Sequence, residues 1–498
     1  MADDFYVIGI DQSTQGTKVL LLDRLGAIVD IKSMPHRQII NDLGYVEHDL
    51  NEIYSNVIAL MQEMVSEHAT CADKIACVGL SVQRETVGAW SKSSLLPLYN
   101  AIVWQCARGA DFVNSPEVKS KSNTVRAITG LELSEYFSAA KITWLVDNVD
   151  VVKESAQKND LCIGNMDAFL ISKLTGGRSF YTEPSNASRT QLMDLKNLCW
   201  SEQLCSLFKV PINSLPQIKD TNSCFGETDF EGVLPHKIPI HAAIGDSQGA
   251  LFAHGCLSSG QIKATYGTGS SIMMNSGNNT SECCSGIVNS VGWSISGNCT
   301  YVLEGNINYS AGIISYLKND LHLINSPVET EAMARQANAS DKCLFVPALS
   351  GLGAPYFNGK VRGMILGMSR TTGKNEIVKA ALDSIAYQVT DIIDLLKTSY
   401  DGEICDLNVD GGATKNAYLM QLQSDLSGLK VKVPGNAELS GLGAAYLAGI
   451  GLGVYGQSIL DSNIQHTVYK PEQERGWALD KKKRWHKAVE ASINYALD

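Results

Sequence analysis

The chain carries one local device twice: an apolar strand, a short turn of glycine and hydroxyl residues, and a second apolar strand. In the first half it reads FYVIGIDQSTQGTKVLLLD from Phe5, and in the second GQIKATYGTGSSIMMN from Gly260. Strands joined through turns this short pair antiparallel, as hairpins. Around them, strands alternate with helical patterns. NEIYSNVIALMQEMVSEH places apolar residues at three- and four-residue steps, and IACVGLSVQRETVGAW reads as a further strand. Near residue 240 the series restarts with IPIHAAIGDSQGALFAHG, a strand, a turn and a small-residue helix beginning near Gln248. ICDLNVDGGATKNAYLMQLQSDL adds a strand, a Gly-Gly turn and a long helix. A chain of 498 residues exceeds what one core usually holds. The expectation is an α/β protein of two domains, 1–250 and 251–498, with a cleft between them.

Composition narrows the partners. Hydrophobic residues make up 44% and charged residues 19%, as in an ordinary globular protein. A net charge of -11 offers no basic footprint for nucleic acid. The opening MADDFYVIGID lacks a signal-peptide pattern, and no apolar run has the roughly 18 residues a membrane span needs. The 13 cysteines are scattered singly, apart from Cys283–Cys284, with no C-x-x-C pair. They read as reduced thiols, and the expectation is a cytoplasmic protein without a membrane partner. The Cys283–Cys284 pair and His48 are given surface or packing roles.

Four stretches carry candidate chemistry, each beside a plainer reading. In Asp11–Lys18, DQSTQGTK, a strand-end aspartate suits Mg²⁺, Thr14, Gln15, Gly16 and Thr17 offer N–H and O–H donors, and Lys18 offers a charge. The plain alternative is a solvated hairpin turn. The turn Gly267-Thr268-Gly269 is either a phosphate cradle, since glycine lets backbone N–H groups approach an anion, or a tight turn only. VDGGATKN, Val409 to Asn416, sets two glycines before a helix N-terminus, which favours anions, or is a simple strand–helix turn. It is not the G-x-G-x-x-G dinucleotide fingerprint. Asp246 in IGDSQGA follows an apolar strand, either as a proton acceptor for a substrate hydroxyl or as a helix cap. Arg84, Glu85, Trp104, Gln105 and Arg108 form a charged and aromatic group. It suits a small polyhydroxylated ligand, or an ion pair beside a core tryptophan.

In this order these pieces resemble the FGGY carbohydrate kinases over residues 6 to 455, most closely the glycerol-kinase branch. Matching stretches include GIDQSTQGTK, GYVEHDL, QRET, AIVWQCAR, YFSAAKITWL, TEPSNASRTQLMDL, ATYGTG, FVPALSGLGAPYFNGKVRGMILGMSR, VDGGATKNAYLMQLQSDL and ELSGLGAAYLAG. The resemblance implies two ribonuclease-H-like domains of the actin-like ATPase type, with ATP in an inter-domain cleft. It implies ATP and Mg²⁺ as cofactors, Asp11 as the residue associated with the metal, and Thr14 and Lys18 in the first phosphate loop. Thr268 and Gly269 match the second loop, and Gly312, Gly412, Ala413 and Asn416 match nucleotide-side positions. Asp246 matches the catalytic base. Arg84, Glu85, Trp104, Tyr136 and Asp246 match polyol-binding positions, joined by Ser247 and Ser271. A homodimer is implied by analogy.

Departures from the branch bear on the substrate. Ser13 stands for a glycine, Ser247 for a glutamine beside the base, and Ser315 for a glutamine near the nucleotide. Ser271 replaces a phenylalanine that covers the carbon face of glycerol, removing on the order of 150 Å² of ring surface. The expectation is a pocket enlarged for a polyol or ketose of four or more carbons, with glycerol itself as the alternative. GETDFEGVLPHKIPI lacks the segment by which some glycerol kinases bind fructose bisphosphate, so no such regulation is carried over. Two other classes are weighed: an actin- or Hsp70-like ATPase with no sugar substrate, and a sugar-binding module without catalysis. ATP turnover that no polyol stimulates would favour the former. The latter conflicts with the presence of Asp11, Thr14, Thr268 and Asp246 together.

Overall fold

A computed structural model describes residues 4–280, 286–404, 406–462 and 465–496. Cys283 and Cys284 lie outside the described residues. Two compact units emerge: Met1–Gly255 with Asn289–Tyr301 and Glu438–Asn463, and Cys256–Val288 with Val302–Ala437 and Ile464–Asp498.

The first unit is built on a six-stranded sheet. Tyr6–Gln12 pairs antiparallel with Gly16–Leu22, which pairs antiparallel with Ile28–Pro35. On its other edge Tyr6–Gln12 runs parallel to Ile75–Val82, and that strand runs parallel to Ile238–Gly245. The central strands are buried on both faces, which is why YVIGIDQ and IACVGLSV read as continuous apolar runs rather than alternations. Leu50–Glu67 covers one face with Leu50, Ile53, Val57, Leu60, Met61 and Met64, the spacing expected of a one-sided helix. Asp49 caps it, its side chain accepting from the Asn51 N–H.

The helix Leu439–Leu452 belongs to the same unit although it comes late in the chain. Its glycine- and alanine-rich sequence lets it lie against the sheet backbone. A Cβ on Gly79 would sit 2.0 Å from the Ala444 carbonyl oxygen, and one on Gly9 would sit 2.5 Å from that of Gly441. Gly79→Val is therefore expected to cost about 3 kcal/mol or more, since backbone on both sides cannot give way. A melting temperature within 2 °C of wild type, on the order of the scatter of surface changes, would contradict this.

The second unit repeats the wiring. Ile262–Tyr266 pairs antiparallel with Ser270–Gly277 and parallel with Asp406–Asp410. Asp406–Asp410 is parallel to Lys430–Pro434, whose far edge takes His466–Tyr469 antiparallel. Asn298–Ile307, which belongs to this unit from Val302 onward, lies beyond Ser270–Gly277. The buried helix Lys374–Thr398 packs among these strands, and Trp485 stacks on its Tyr387 at 5.2 Å between ring centroids. Both units thus start with the hairpin that the sequence repeats. Among the described residues no helix is long and apolar enough to cross a membrane.

Candidate active site

In the first unit, the ends of parallel strands gather the predicted groups. Asp11 is the penultimate residue of Tyr6–Gln12, only 9% exposed, and its Oδ1 accepts from the Ser81 hydroxyl at 2.9 Å. Burial and the nearby Asp246 carboxylate push its pKa up to about 7, while Ser81 and Lys18 pull it back. Lys18 lies on the second hairpin strand and pairs with Glu438 at 2.5 Å. The turn between is closed by the Ser13 N–H donating to the Gly16 carbonyl at 2.9 Å. Thr14 sits half-buried at its tip.

The next strand, Ile75–Val82, ends in a sharp bend at Gln83–Thr86, where Glu85 adopts a left-handed φ of 60°. Arg84 points its Nε to Asp246 at 3.4 Å and its Nη1 to Gln248 at 3.4 Å. The plain reading of a Glu–Arg pair beside a tryptophan is thus half right. Glu85 does pair with an arginine, but with Arg189 at 2.5 Å, both partners almost wholly buried. Trp104 donates its indole N–H to the Thr14 hydroxyl oxygen at 2.9 Å, and Tyr136 meets its ring edge-on at 5.6 Å. Gln105 is exposed and Arg108 is turned inward, pairing with Glu47 and lying over Tyr45 and Trp144.

Asp246 opens the helix Asp246–Ala253, two residues earlier than the sequence pattern places it. The N-cap is Gly245, so Asp246 is not the capping residue. Its Oδ1 accepts from the N–H of the half-buried Ser247 at 2.7 Å, and its side chain keeps 33% of its surface exposed. Thus the unit holds two groups of predicted residues: Asp246 with Arg84 and Ser247, where Asp246 and Lys18 act electrostatically on Asp11, and Trp104 with Thr14 and Tyr136.

Several residues around these groups carry no motif of their own. Lys141 is fully buried and donates to the carbonyls of Glu135 at 2.7 Å and Tyr136 at 2.5 Å. Burial pushes its ammonium down to about 7. Ser81, Arg189, Gln248 and Glu438 belong here too. The matching stretches contained Lys141, Arg189 and Glu438, yet nothing local told which side chain each would meet. His48 is buried, not superficial: its Nδ1 faces the Gln83 amide at 3.4 Å, and its ring meets His36 at 4.5 Å.

The second unit presents its own group. The Gly267–Gly269 turn is stitched to residues 310–312: Ser310 and Gly312 donate to the Thr268 carbonyl at 2.7 and 3.1 Å, Ala311 to that of Gly267 at 3.0 Å. A Cβ on Gly269 would lie 2.5 Å from the Ile307 carbonyl oxygen, and one on Gly312 3.0 Å from Thr268 Cγ2. The Thr268 side chain is exposed. One strand over, Gly411 holds a φ of 95°, and a Cβ on it would lie 2.5 Å from the Tyr266 carbonyl oxygen, so it is this glycine that the turn requires. Gly412 is exposed and opens a short 3₁₀ turn containing Ala413. Asn416 caps the helix Ala417–Ser427 by accepting from the Leu419 N–H at 3.0 Å, and its amide nitrogen donates to Thr330. Ser271 donates its hydroxyl to Glu304, 1% exposed, at 2.9 Å, and Ser315 is exposed.

Both units are thus hairpin-led and α/β, the first carrying Asp11 and Asp246 where its parallel strands end and the second glycine turns at its strand ends. The sequence matches the FGGY family of carbohydrate kinases, the N-terminal domain over residues 6–253 and the C-terminal domain over 262–452. The chain belongs to this family. Glycerol kinase 1 of Thermotoga maritima is 40% identical over 492 residues, covering 99% of each chain. The glycerol kinase of Desulforamulus reducens is 37% identical, again covering 99% of each. Among solved structures, Plasmodium falciparum glycerol kinase with ADP superposes with a TM-score of 0.90, at 34% identity and 98% coverage of each chain. The protein is a sugar or polyol kinase, and nothing favours the actin- or Hsp70-like alternative.

Proposed function

We propose that this kinase transfers the γ-phosphoryl of ATP to a hydroxyl of a small polyol or ketose, with Asp246 as general base. The observation that supports it most is the state of Asp246: partly exposed, oriented by Arg84 and by the Ser247 N–H, and close enough to Asp11 to raise its pKa. Phosphoryl transfer needs positioning and charge stabilisation more than covalent chemistry. In this reading Asp246 aligns the acceptor hydroxyl and takes its proton, while Trp104 and Tyr136 cover carbon faces. Arg84 and Glu85 hold hydroxyl groups. The Thr14 and Thr268 turns and Lys18 hold phosphate oxygens, and Gly412, Ala413 and Asn416 lie on the adenosine side.

Asp11 suits a divalent cation. A carboxyl raised to about 7 by burial and by a second carboxylate has more unfavourable charge near it than Lys18 offsets, and a hydrated Mg²⁺ would supply the rest. When bound, the ion neutralises charge on the phosphates. This gives a pH test. The Asp11 pKa is raised above its ordinary 3.8, so its contribution to stability is full below about pH 4 and is lost as pH rises to about 7. Without metal, wild type should lose melting temperature over that range more steeply than Asp11→Asn. Adding Mg²⁺ at pH 7.5, about half a unit above the Asp11 value, should raise the melting temperature of wild type only. Parallel curves for the two proteins, with and without the ion, would refute the assignment.

The Ser271–Glu304 pair, in place of an apolar ring, supports an acceptor of four or more carbons. The names of the most similar relatives favour glycerol itself. A coupled ADP-release screen with glycerol, erythritol, ribulose and xylulose separates the two. Glycerol leading by about a hundredfold in kcat/KM, or about 2.7 kcal/mol, would end the enlarged-pocket reading. Ser271→Phe is expected to shift preference toward glycerol by about tenfold, the scale of one aromatic contact. We place the enzyme in the cytoplasm, in keeping with its free cysteines such as buried Cys71, Cys77, Cys162 and Cys256.

A further inference from the structure

We infer that the Trp104 indole N–H, acting through the Thr14 hydroxyl, couples acceptor binding to nucleotide binding within the first unit; this rests on the functional reading above. Trp104 is a positioning residue for the phosphate loop as well as a wall of the acceptor subsite.

Thr14 is held at both of its polar groups. Its carbonyl accepts from His36 Nε2 at 3.0 Å, and its Oγ1 accepts from Trp104 Nε1 at 2.9 Å. Indole N–H only donates, and a threonine hydroxyl has one hydrogen and two lone pairs. The indole therefore occupies a lone pair and turns the hydroxyl hydrogen away from itself. No acceptor among the described residues takes that hydrogen. Thr14 is thus prepared as a donor at the tip of a turn assigned to phosphate, and accepting one bond strengthens the bond it donates.

The anchor on the His36 side is buried. Burial lowers the pKa of His36, against the Thr14 carbonyl and Glu52, which raise it. His48, against its ring edge, is pushed down to about 3 by burial and by His36. Neutral His36 donates from Nε2, consistent with its buried, unpartnered Nδ1.

The Trp104 end is the adjustable one. Its backbone N–H donates to the Thr86 hydroxyl at 3.2 Å, while its ring is half-buried and meets Tyr136 in an edge-to-face arrangement. An acceptor seated on that ring would restrict it and so hold the N–H on Thr14. By linkage, acceptor must then tighten nucleotide by the same factor that nucleotide tightens acceptor.

The test measures binding of ADP with Mg²⁺ by calorimetry, alone and with saturating glycerol or erythritol, in four proteins: wild type, Trp104→Phe, Thr14→Val and the double variant. Trp104→Phe keeps a ring and deletes the N–H. It is expected to weaken ADP about fivefold and to cut the polyol enhancement to under about twofold, the scale of one hydrogen bond. Thr14→Val should do the same, and the double variant should be no worse than Thr14→Val. Thr14→Ser, which keeps the hydroxyl, should bind ADP more tightly than Thr14→Val and still respond to polyol, a contrast that does not need a tryptophan variant to fold. Losses that add in the double variant, or an unchanged ADP affinity in Trp104→Phe when Thr14→Val weakens it, would overturn the coupling alone. An unchanged affinity in Thr14→Val would instead overturn the phosphate-loop role of Thr14, and the coupling with it.

Discussion

Asp246→Asn is expected to lower kcat by about a thousandfold, within the range that general-base catalysis contributes, while leaving binding of ADP intact. The amide keeps the shape of the side chain and its oxygen can still accept from the Ser247 N–H, so the helix start at Asp246 should persist. What it loses is the capacity to take a proton and the charge facing Arg84. The Asp11 pKa should fall as well, because the carboxylate that raises it is gone. Steady-state kinetics with the best acceptor, alongside ADP titration, reads both effects. A variant with kcat within about tenfold of wild type would remove Asp246 from the base role. Loss of ADP binding would show a structural role instead.

Arg189→Met carries the second large effect, on stability. Arg189 and Glu85 pair at 2.5 Å with almost no exposure, and the Arg189 guanidinium also lies over Phe137 at 5.0 Å. Removing one member of a buried ion pair leaves the other charge uncompensated, at about 3–5 kcal/mol. For a unit of this size that is a fall of about 10 °C in melting temperature. Glu85 also lies in the bend beside Arg84, with a left-handed φ of 60°, so loss of its partner is expected to disturb the Arg84 side chain as well. KM for the acceptor should rise even where folded protein is recovered. Arg189→Lys, which keeps charge but loses the planar fork, should recover part of the stability and less of the KM. A melting temperature unchanged to about 2 °C would mean that Glu85 is neutralised some other way.

Both variants act through residues at opposite ends of what the sequence makes legible. Asp246 follows an apolar strand and precedes a helix, so a single stretch suggests both its exposure and its chemistry. Arg189 sits in NASRTQLMDL, where nothing local links it to Glu85, 104 positions earlier. Lys141 is similar. It is buried where three successive carbonyls, of Glu135, Tyr136 and Phe137, converge on it, which no neighbouring residue signals. The helix at Asp246 begins earlier than its apolar pattern because Gly245 supplies the cap, a role that leaves no side chain to read.

Chain-local rules settled the two hairpins, the strand–helix alternation and the turn residues at 11–18, 267–269 and 410–416. Those features depend on side-chain period and backbone freedom over a few residues. Which charges meet was decided by tertiary structure alone. Lys18 meets Glu438 across 420 positions, and Asp11 feels Asp246 because parallel strands from distant segments end side by side. The late helix Leu439–Leu452 joins the first unit for the same reason: only bare glycine backbone on Gly9 and Gly79 lets it approach that sheet. Electrostatics and close packing act through space, and the order of residues along the chain does not encode that distance directly.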